Sequence, residues 1–149
     1  MNADVDLPDF DAVVAAAGRI NGRVLRTPVI SFVRFNVRVG AQVFFKCENL
    51  QTGGSFKLRG ATNAVLQLDP ARTPVVVTHS SGNHGAAIAL AARARGMRAV
   101  IVMPRDSAAT KLAAVTAAGA EIVLCEPGTA AREAALAELL QRQPAAVVH

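Results

Sequence analysis

The stretch PVVVTHSSGNHG, residues 74–85, decides the fold of this 149-residue chain. Its first half is a continuous run of β-branched residues, which is typical of a strand covered on both faces. The alanine-rich segment 85–95 predicts a helix after it. Further apolar runs at 99–103, 121–125 and 145–148 alternate with predicted helices at 108–118 and 130–141. This alternation predicts an α/β fold of three layers, an open parallel sheet with helices on both faces.

The segment that precedes this alternation is less regular. An apolar stripe predicts a first helix over 9–20, which ends at Asn21 and Gly22. Short strands are predicted over 29–33 and 42–47, whereas 35–40 favours neither a helix nor a strand.

The stretch KCENLQTGGSFKLRGA, residues 46–61, leads into another helix. Gly53 and Gly54 allow a tight turn with positive φ, and Ser55 is a good residue to cap a helix N-terminus. Apolar residues then recur at helical spacing from Leu58 to Leu68. The spacing therefore places Lys57 in the first turn of this helix.

A lysine in the first turn of a helix is unusual, because the helix dipole disfavours positive charge there. In a buried site both the dipole and the loss of water favour the neutral amine, which is the form that attacks a carbonyl. The alternative is an exposed lysine at the start of a helix, with no role in chemistry.

The loop HSSGNHG, residues 79–85, follows the first strand of the alternation. Ligands of open α/β folds bind beyond the carboxyl ends of strands, and helix N-terminal amides together with serine hydroxyls bind anions. The alternative is a helix capped by Ser80 or Ser81, with His84 in a structural role. The loop has neither a Walker A motif nor a full G-x-G-x-x-G, which argues against a nucleotide-binding domain.

The composition of the chain argues against a nucleic-acid-binding protein and against a metal site. The net charge is +5, but the arginines are dispersed and there is no Trp or Tyr, so the pattern does not indicate nucleic-acid binding. Cys47 and Cys125 lie far apart without metal-ligand spacing, and no cluster of His, Cys and Glu predicts a metal site. We expect both cysteines to be buried thiols of a reducing compartment.

The N-terminus is acidic and unlike a signal peptide, and no apolar run approaches the ~20 residues that span a bilayer. The expectation is a cytoplasmic protein that does not enter a membrane. The acidic residues are Asp4, Asp6, Asp9 and Asp11.

Three motifs resemble those of one enzyme family: ENLQ at 48–51, GSFKLRGA at 54–61 and SSGNHG at 80–85. They are similar to the serine/threonine dehydratase and serine racemase family, fold-type-II enzymes that depend on pyridoxal 5′-phosphate. The resemblance extends from Gly22 to His149. Related cysteine and threonine synthases tend to have Lys-Asp-Arg where this chain has Lys57-Leu58-Arg59, which favours the dehydratase and racemase side.

The resemblance implies roles for particular residues. Lys57 would form the Schiff base with pyridoxal phosphate, Phe56 would pack near its ring, and Asn83 would hydrogen-bond the ring 3′-oxygen. Ser81 would face the cofactor from the side opposite Lys57, as the second acid/base group in racemases. The residues implied to bind the substrate, its carboxylate above all, are Ser80, Ser81, Gly82, Asn83 and His84, together with Arg132.

The activity that the resemblance implies is elimination of the β-hydroxyl and ammonia from serine or threonine to give a 2-oxo acid. Racemisation of serine is one alternative, and a truncated, non-catalytic binding module is another. Residues 1–70 are expected to begin a large domain, and 71–149 to form a small α/β domain. Family members are about twice as long, so a glycine-rich phosphate loop, a group at the pyridine nitrogen and a metal site are expected beyond residue 149. Homo-oligomers are expected of full-length members.

Overall fold

The computed structural model describes residues 7–149, so Asp4 and Asp6 of the acidic N-terminus lie outside the described residues. Strands and helices alternate through most of the described chain, with one short 3₁₀ turn at Glu48–Leu50. The helices are α1 (Phe10–Ile20), α2 (Val33–Val39), α3 (Lys57–Leu66), α4 (Asn83–Ala94), α5 (Ala109–Ala117) and α6 (Thr129–Arg142). The strands are β1 (Val29–Ile30), β2 (Phe45–Lys46), β3 (Val75–His79), β4 (Arg98–Pro104), β5 (Glu121–Cys125) and β6 (Ala146–Val147).

The larger sheet is parallel and has the strand order β5-β4-β3-β6. Its central strand β3 buries both faces, because Val76 packs into one apolar cluster while Val75 and Val77 pack into the other. Helices α3, α4 and α5 cover the first face, and α6 covers the second. The three-layer α/β fold predicted from the sequence is therefore confirmed.

The strands before Lys57 are shorter than predicted. β1 and β2 pair antiparallel over only two residues each, Val29 with Lys46 and Ile30 with Phe45. Beyond them, side chains take over the hydrogen bonds that a longer ladder would make. The Ser31 hydroxyl donates to the Val43 carbonyl at 2.7 Å, and the Val43 N–H donates to Asn36 Oδ1 at 3.0 Å. The chain between them forms α2, which the sequence pattern did not predict.

The helix caps differ from the prediction in two places. Phe56, not Ser55, occupies the cap position of α3, and no side chain caps that helix. Gly82 occupies the cap position of α4, so neither Ser80 nor Ser81 caps it. The Ser80 hydroxyl instead accepts a hydrogen bond from the Gly82 N–H at 3.2 Å, which holds the loop before the helix.

Exposure also corrects two expectations. Cys125 is buried as predicted, whereas Cys47 is only half-buried. Helix α1 ends at Ile20 as predicted and begins one residue later than predicted, at Phe10. None of its residues is buried, and Phe10 is 78% exposed. Among the described residues, no helix is both long and apolar enough to cross a membrane.

Candidate active site

The strand order creates a crevice at the carboxyl edge of the larger sheet. The chain runs outward from β3 through β4 to β5, crosses the sheet through α6, and returns on the other side of β3 as β6. Adjacent parallel strands whose connections leave in opposite directions open such a crevice, where ligands of α/β folds bind. Here β3 ends at His79, and β6 is followed by Val148 and His149.

Lys57 is the first residue of α3, as predicted, and its side chain is exposed. Its Nζ lies 5.2 Å from the centroid of the Phe56 ring. The burial that the sequence analysis considered for Lys57 is therefore absent from the described structure. Lys57 opens into a cavity of about 210 Å³ that is lined by Phe56, Lys57, Gly60, Ala61, Ala64, His84, Val148 and His149.

The predicted anion loop begins just beyond the paired residues of β3 and β4, where the Ser80 N–H donates to the Val102 carbonyl at 3.0 Å. Ser81 and Asn83 are exposed, so their side chains are free to meet a ligand. The first N–H groups of α4, beginning at Asn83, have no partner within the helix. A carboxylate placed at this helix start would accept hydrogen bonds from them.

His84 joins the loop to the Lys57 cavity. Its Nε2 lies 3.2 Å from the Val148 carbonyl oxygen, and a carbonyl only accepts, so this nitrogen carries the hydrogen. The contact fixes the ring against the end of β6, while the same side chain lines the cavity beside Lys57. The structure thus brings Lys57 and His84 together, two residues that the sequence separates by a whole strand and loop.

Arg132 lies apart from the Lys57 cavity, in the first turn of α6. Its Nη2 donates to the Thr129 hydroxyl at 2.9 Å, and its Nε is buried without a hydrogen-bond partner among the described residues. A buried donor without an acceptor is costly, about 1–3 kcal/mol. Arg132 is therefore suited to an acceptor that the described structure does not contain.

His79 is a residue near the site to which the sequence pattern assigned no role. Its ring is half-buried, its Nδ1 is buried without a partner among the described residues, and its centroid lies 5.6 Å from that of His149. Burial lowers the pKa of His79 from its ordinary 6.5, and the charges of Arg132 and His149 lower it further. Its place as the last residue of a buried strand was the signal that could have identified it.

Lys111 is a second residue that the sequence did not single out. It lies near the start of α5, and its Nζ comes within 3.8 Å of the point where a Cβ on Gly82 would stand. It adds a positive charge beside the anion loop. No motif surrounds Lys111, so only the fold reveals this proximity.

The residues of the cavity fit pyridoxal phosphate, the cofactor that the resemblance implies. Lys57 supplies a primary amine for an aldehyde, and Gly60, Ala61 and Ala64 line the cavity with little side-chain bulk, which leaves room for a flat ring. No acidic side chain lines this cavity, which suits a cofactor that carries a phosphate. Between residues 7 and 149, no group of three or more His, Cys, Asp or Glu side chains is placed to hold a metal ion.

Comparisons with known proteins show the family of this chain. A family model described as pyridoxal-phosphate dependent enzyme matches residues 20–149. An L-threo-3-hydroxyaspartate ammonia-lyase from a Pseudomonas species is 48% identical over 130 residues, which cover 87% of this chain and 41% of that protein.

Two solved structures superpose closely on this chain. Maize serine racemase matches with a TM-score of 0.91 and 42% identity, over 95% of this chain and 43% of the racemase. A threonine deaminase from T.th. matches with a TM-score of 0.88 and 34% identity, over 95% of this chain and 45% of the deaminase. The chain spans less than half the length of the curated relatives that it matches.

Proposed function

This chain belongs to the family of pyridoxal-phosphate dependent enzymes. From that premise we propose that it is the N-terminal part of an ammonia-lyase that acts on serine or threonine. The observation that carries the proposal is the shared cavity of Lys57 and His84 at the carboxyl edge of the sheet. That cavity puts an amine beside His84, the last residue of the loop suited to a carboxylate. Elimination from an α-amino acid with a β-hydroxyl needs both the amine, to take the α-proton, and the loop, to hold the carboxylate.

Lys57 is the proposed catalytic base and the attachment point of the cofactor. Pyridoxal phosphate, when bound, withdraws electrons from the substrate α-carbon and so makes its proton acidic. The Lys57 amine would take that proton at Nζ. Phe56 packs beside the amine, and Asn83 is the proposed partner of the ring 3′-oxygen.

The loop of Ser80, Ser81, Gly82, Asn83 and His84 is the proposed carboxylate site. Its exposed side chains and the free N–H groups of α4 support this role. Arg132 is the proposed partner of a more distant substrate oxygen, a role supported by its unpaired buried Nε. A substrate held at these two places keeps its α-proton in one position relative to Lys57.

Serine racemisation is the second candidate. Ser81 is exposed in the loop, where its hydroxyl is free to return a proton to the α-carbon. Relatives named serine racemase are 38–42% identical to this chain. The ammonia-lyase relative named for 3-hydroxyaspartate extends the candidate substrates to another β-hydroxy amino acid.

The domain division remains part of the proposal. Residues 71–149 form the small domain in this view, and residues 1–70 contribute the beginning of a larger one. The phosphate loop and the partner of the pyridine nitrogen are then supplied by a further portion of chain. Full-length members would assemble as homo-oligomers.

The test begins with cofactor capture by the 149-residue chain. Pyridoxal phosphate is added, the product is reduced with borohydride, and the modified lysine is identified by peptide mass mapping. We expect Lys57 to be labelled well above Lys46 and Lys111, which serve as controls within the same molecule. Equal labelling of the three lysines would contradict the proposed attachment.

Activity is then measured with the chain alone and with a separately produced C-terminal portion of a relative. Serine, threonine and 3-hydroxyaspartate are compared by release of 2-oxo acid and ammonia, and racemisation of serine by chiral chromatography. We expect elimination in the supplemented sample and none with Lys57→Ala. Full activity of Lys57→Ala would overturn the proposal, and inversion without elimination would favour the racemase. A ligand or partner that binds without pyridoxal phosphate, found by calorimetry, would favour a non-catalytic module.

A further inference from the structure

Two side chains on either side of the glycine turn bind the same backbone group. The Leu25 carbonyl accepts a hydrogen bond from Gln51 Nε2 at 2.9 Å and another from Arg59 Nη2 at 3.1 Å. The Leu25 N–H donates to Gln51 Oε1, also at 2.9 Å. Gln51 thus pairs with both polar groups of one residue, and it is only 3% exposed.

Glu48 completes this arrangement by holding Arg59. The guanidinium donates from Nε at 3.0 Å and from Nη2 at 2.7 Å to the two carboxylate oxygens. The Thr27 hydroxyl donates to the same carboxylate at 2.6 Å, and Thr27 is 4% exposed. The hydrogen bond from Arg59, then that from Thr27, lowers the pKa of Glu48 to about 2, so the carboxylate is charged at neutral pH.

Within the segment between Gln51 and Arg59, Leu58 is buried in the apolar core with 5% exposure, whereas residues 52–54, 56 and 57 are exposed. Gly53 and Gly54 both have positive φ, 80° and 73°, and glycine has the largest backbone freedom to lose on folding. Helix α3 begins without a side-chain cap. Lys57 lies inside this segment, and its own contact is with the neighbouring Phe56 ring. Its position therefore depends on the buried Leu58 beside it and on the hydrogen-bonded ends of the segment.

We propose that Gln51, Glu48 and Arg59 are positioning residues for Lys57, and that they act by clamping both ends of the segment 52–58 to the Leu25 backbone and the Thr27 hydroxyl. A bidentate ion pair restricts direction as well as distance, which a point charge does not. The clamp holds the Lys57 amine at the mouth of its cavity before any cofactor arrives. This inference depends on the proposed function in one respect, namely that Lys57 is the residue that bonds the cofactor.

The first arm of the test needs no cofactor. Amide hydrogen exchange is compared between the wild-type chain, Arg59→Met and Gln51→Ala. We expect exchange of the amides in 52–58 to become at least tenfold faster in both variants, with β3 and β4 unchanged. Arg98→Met is the matched control, because Arg98 pairs with Glu121 on an exposed surface at the amino end of β4. Unchanged exchange in 52–58, or equal acceleration throughout the chain, would overturn the clamp.

The second arm measures the amine itself. Borohydride trapping of pyridoxal phosphate is quantified as the ratio of labelled Lys57 to labelled Lys111, over a range of pH. We expect the ratio to fall several-fold in Arg59→Met, to recover only partly in Arg59→Lys, and to stay at the wild-type value in Arg98→Met. Full recovery in Arg59→Lys would show that charge alone suffices and would contradict the bidentate role. If the wild-type chain shows no preference for Lys57, the proposed function fails while the exchange arm still decides the clamp.

Discussion

The surroundings of His79 favour its neutral ring over the protonated one. Burial disfavours the charged ring, and Arg132 and His149 add positive charge nearby, so the pKa of His79 lies below its ordinary 6.5. In the unfolded chain these influences are gone. The folded and unfolded states therefore bind different numbers of protons in the range just below pH 6.5.

We expect the free energy of unfolding to decrease as the pH falls below 6.5. In that range His79 binds a proton more readily in the unfolded state than in the folded state. The contribution of His79 to stability is fully present above pH 6.5. It is lost as the pH falls, and no further loss occurs once the pH is below the lowered pKa of the folded state. Urea unfolding across this range compares the wild type with His79→Gln, which should show a shallower decline. Parallel curves for the two proteins would contradict this account of His79.

Single residues were predicted best where local chemistry decides their place. Gly53 and Gly54 have the positive φ expected of a turn, and Lys57 begins its helix as predicted. Ser55 was wrong as a cap because the helix starts one residue later, at a position where Phe56 offers no acceptor. His84 needed the fold, since its contact with the Val148 carbonyl joins residues 64 positions apart.

Helix α4 packs unusually close to the sheet through one residue. A Cβ built on Gly85 would lie 2.8 Å from Ile101 Cγ2, closer than side chains approach one another. Ile101 is fully buried in β4, so it has no space into which to move. The close approach brings the start of α4 against the end of the strand, where the anion loop lies.

We expect Gly85→Ala to destabilise the chain by about 1–3 kcal/mol, as overpacking of a core does, despite the better helix propensity of alanine. Gly18→Ala is the matched control, because Gly18 is also helical and a Cβ there would meet no atom within 4 Å. Thermal and urea unfolding measure both variants. An unchanged midpoint for Gly85→Ala would show that α4 moves away from the sheet without loss.

The elements after residue 70 were predicted more accurately than those before it. β5 has the predicted bounds, because its apolar run ends at turn residues on both sides. The strands near β1 were overestimated, since Ser31 and Asn36 replace ladder hydrogen bonds with side-chain ones. The periodicity of apolar residues predicts an element only where one of its faces is buried. Few of the described residues in this N-terminal part are buried, so the pattern was a poor guide there.

Exposed apolar side chains are concentrated in one part of the molecule, which we call the apolar N-terminal surface. It consists of Val29, Ile30, Phe32, Val33, Phe35, Val37, Val39, Phe44, Phe45 and Leu50. Phe32 and Phe35 each approach Phe45, with ring centroids 6.0 and 5.4 Å apart. A concentration of exposed apolar side chains is typical of surfaces that associate with other protein.

We expect the 149-residue chain to self-associate through this surface, so that its sedimentation coefficient rises with concentration. The double variant Val33→Ser/Val37→Ser should reduce that rise, because both side chains are 78% exposed. Leu124→Ser is the control, since Leu124 is exposed on β5 of the other sheet. A concentration dependence equal in all three proteins would place the association elsewhere.

The position of β6 in the sheet has a consequence for synthesis on the ribosome. The Lys57 wall of the cavity is made early, but the opposite wall at Val148 and His149 is made about ninety residues later. A nascent chain folds from its N-terminal end as it emerges. It must therefore hold β3 with one edge unpaired until the residues of β6 leave the exit tunnel and seat beside it. The cavity thus takes shape only after β6 has been made, and until then the emerging polypeptide would expose Lys57 without its pocket.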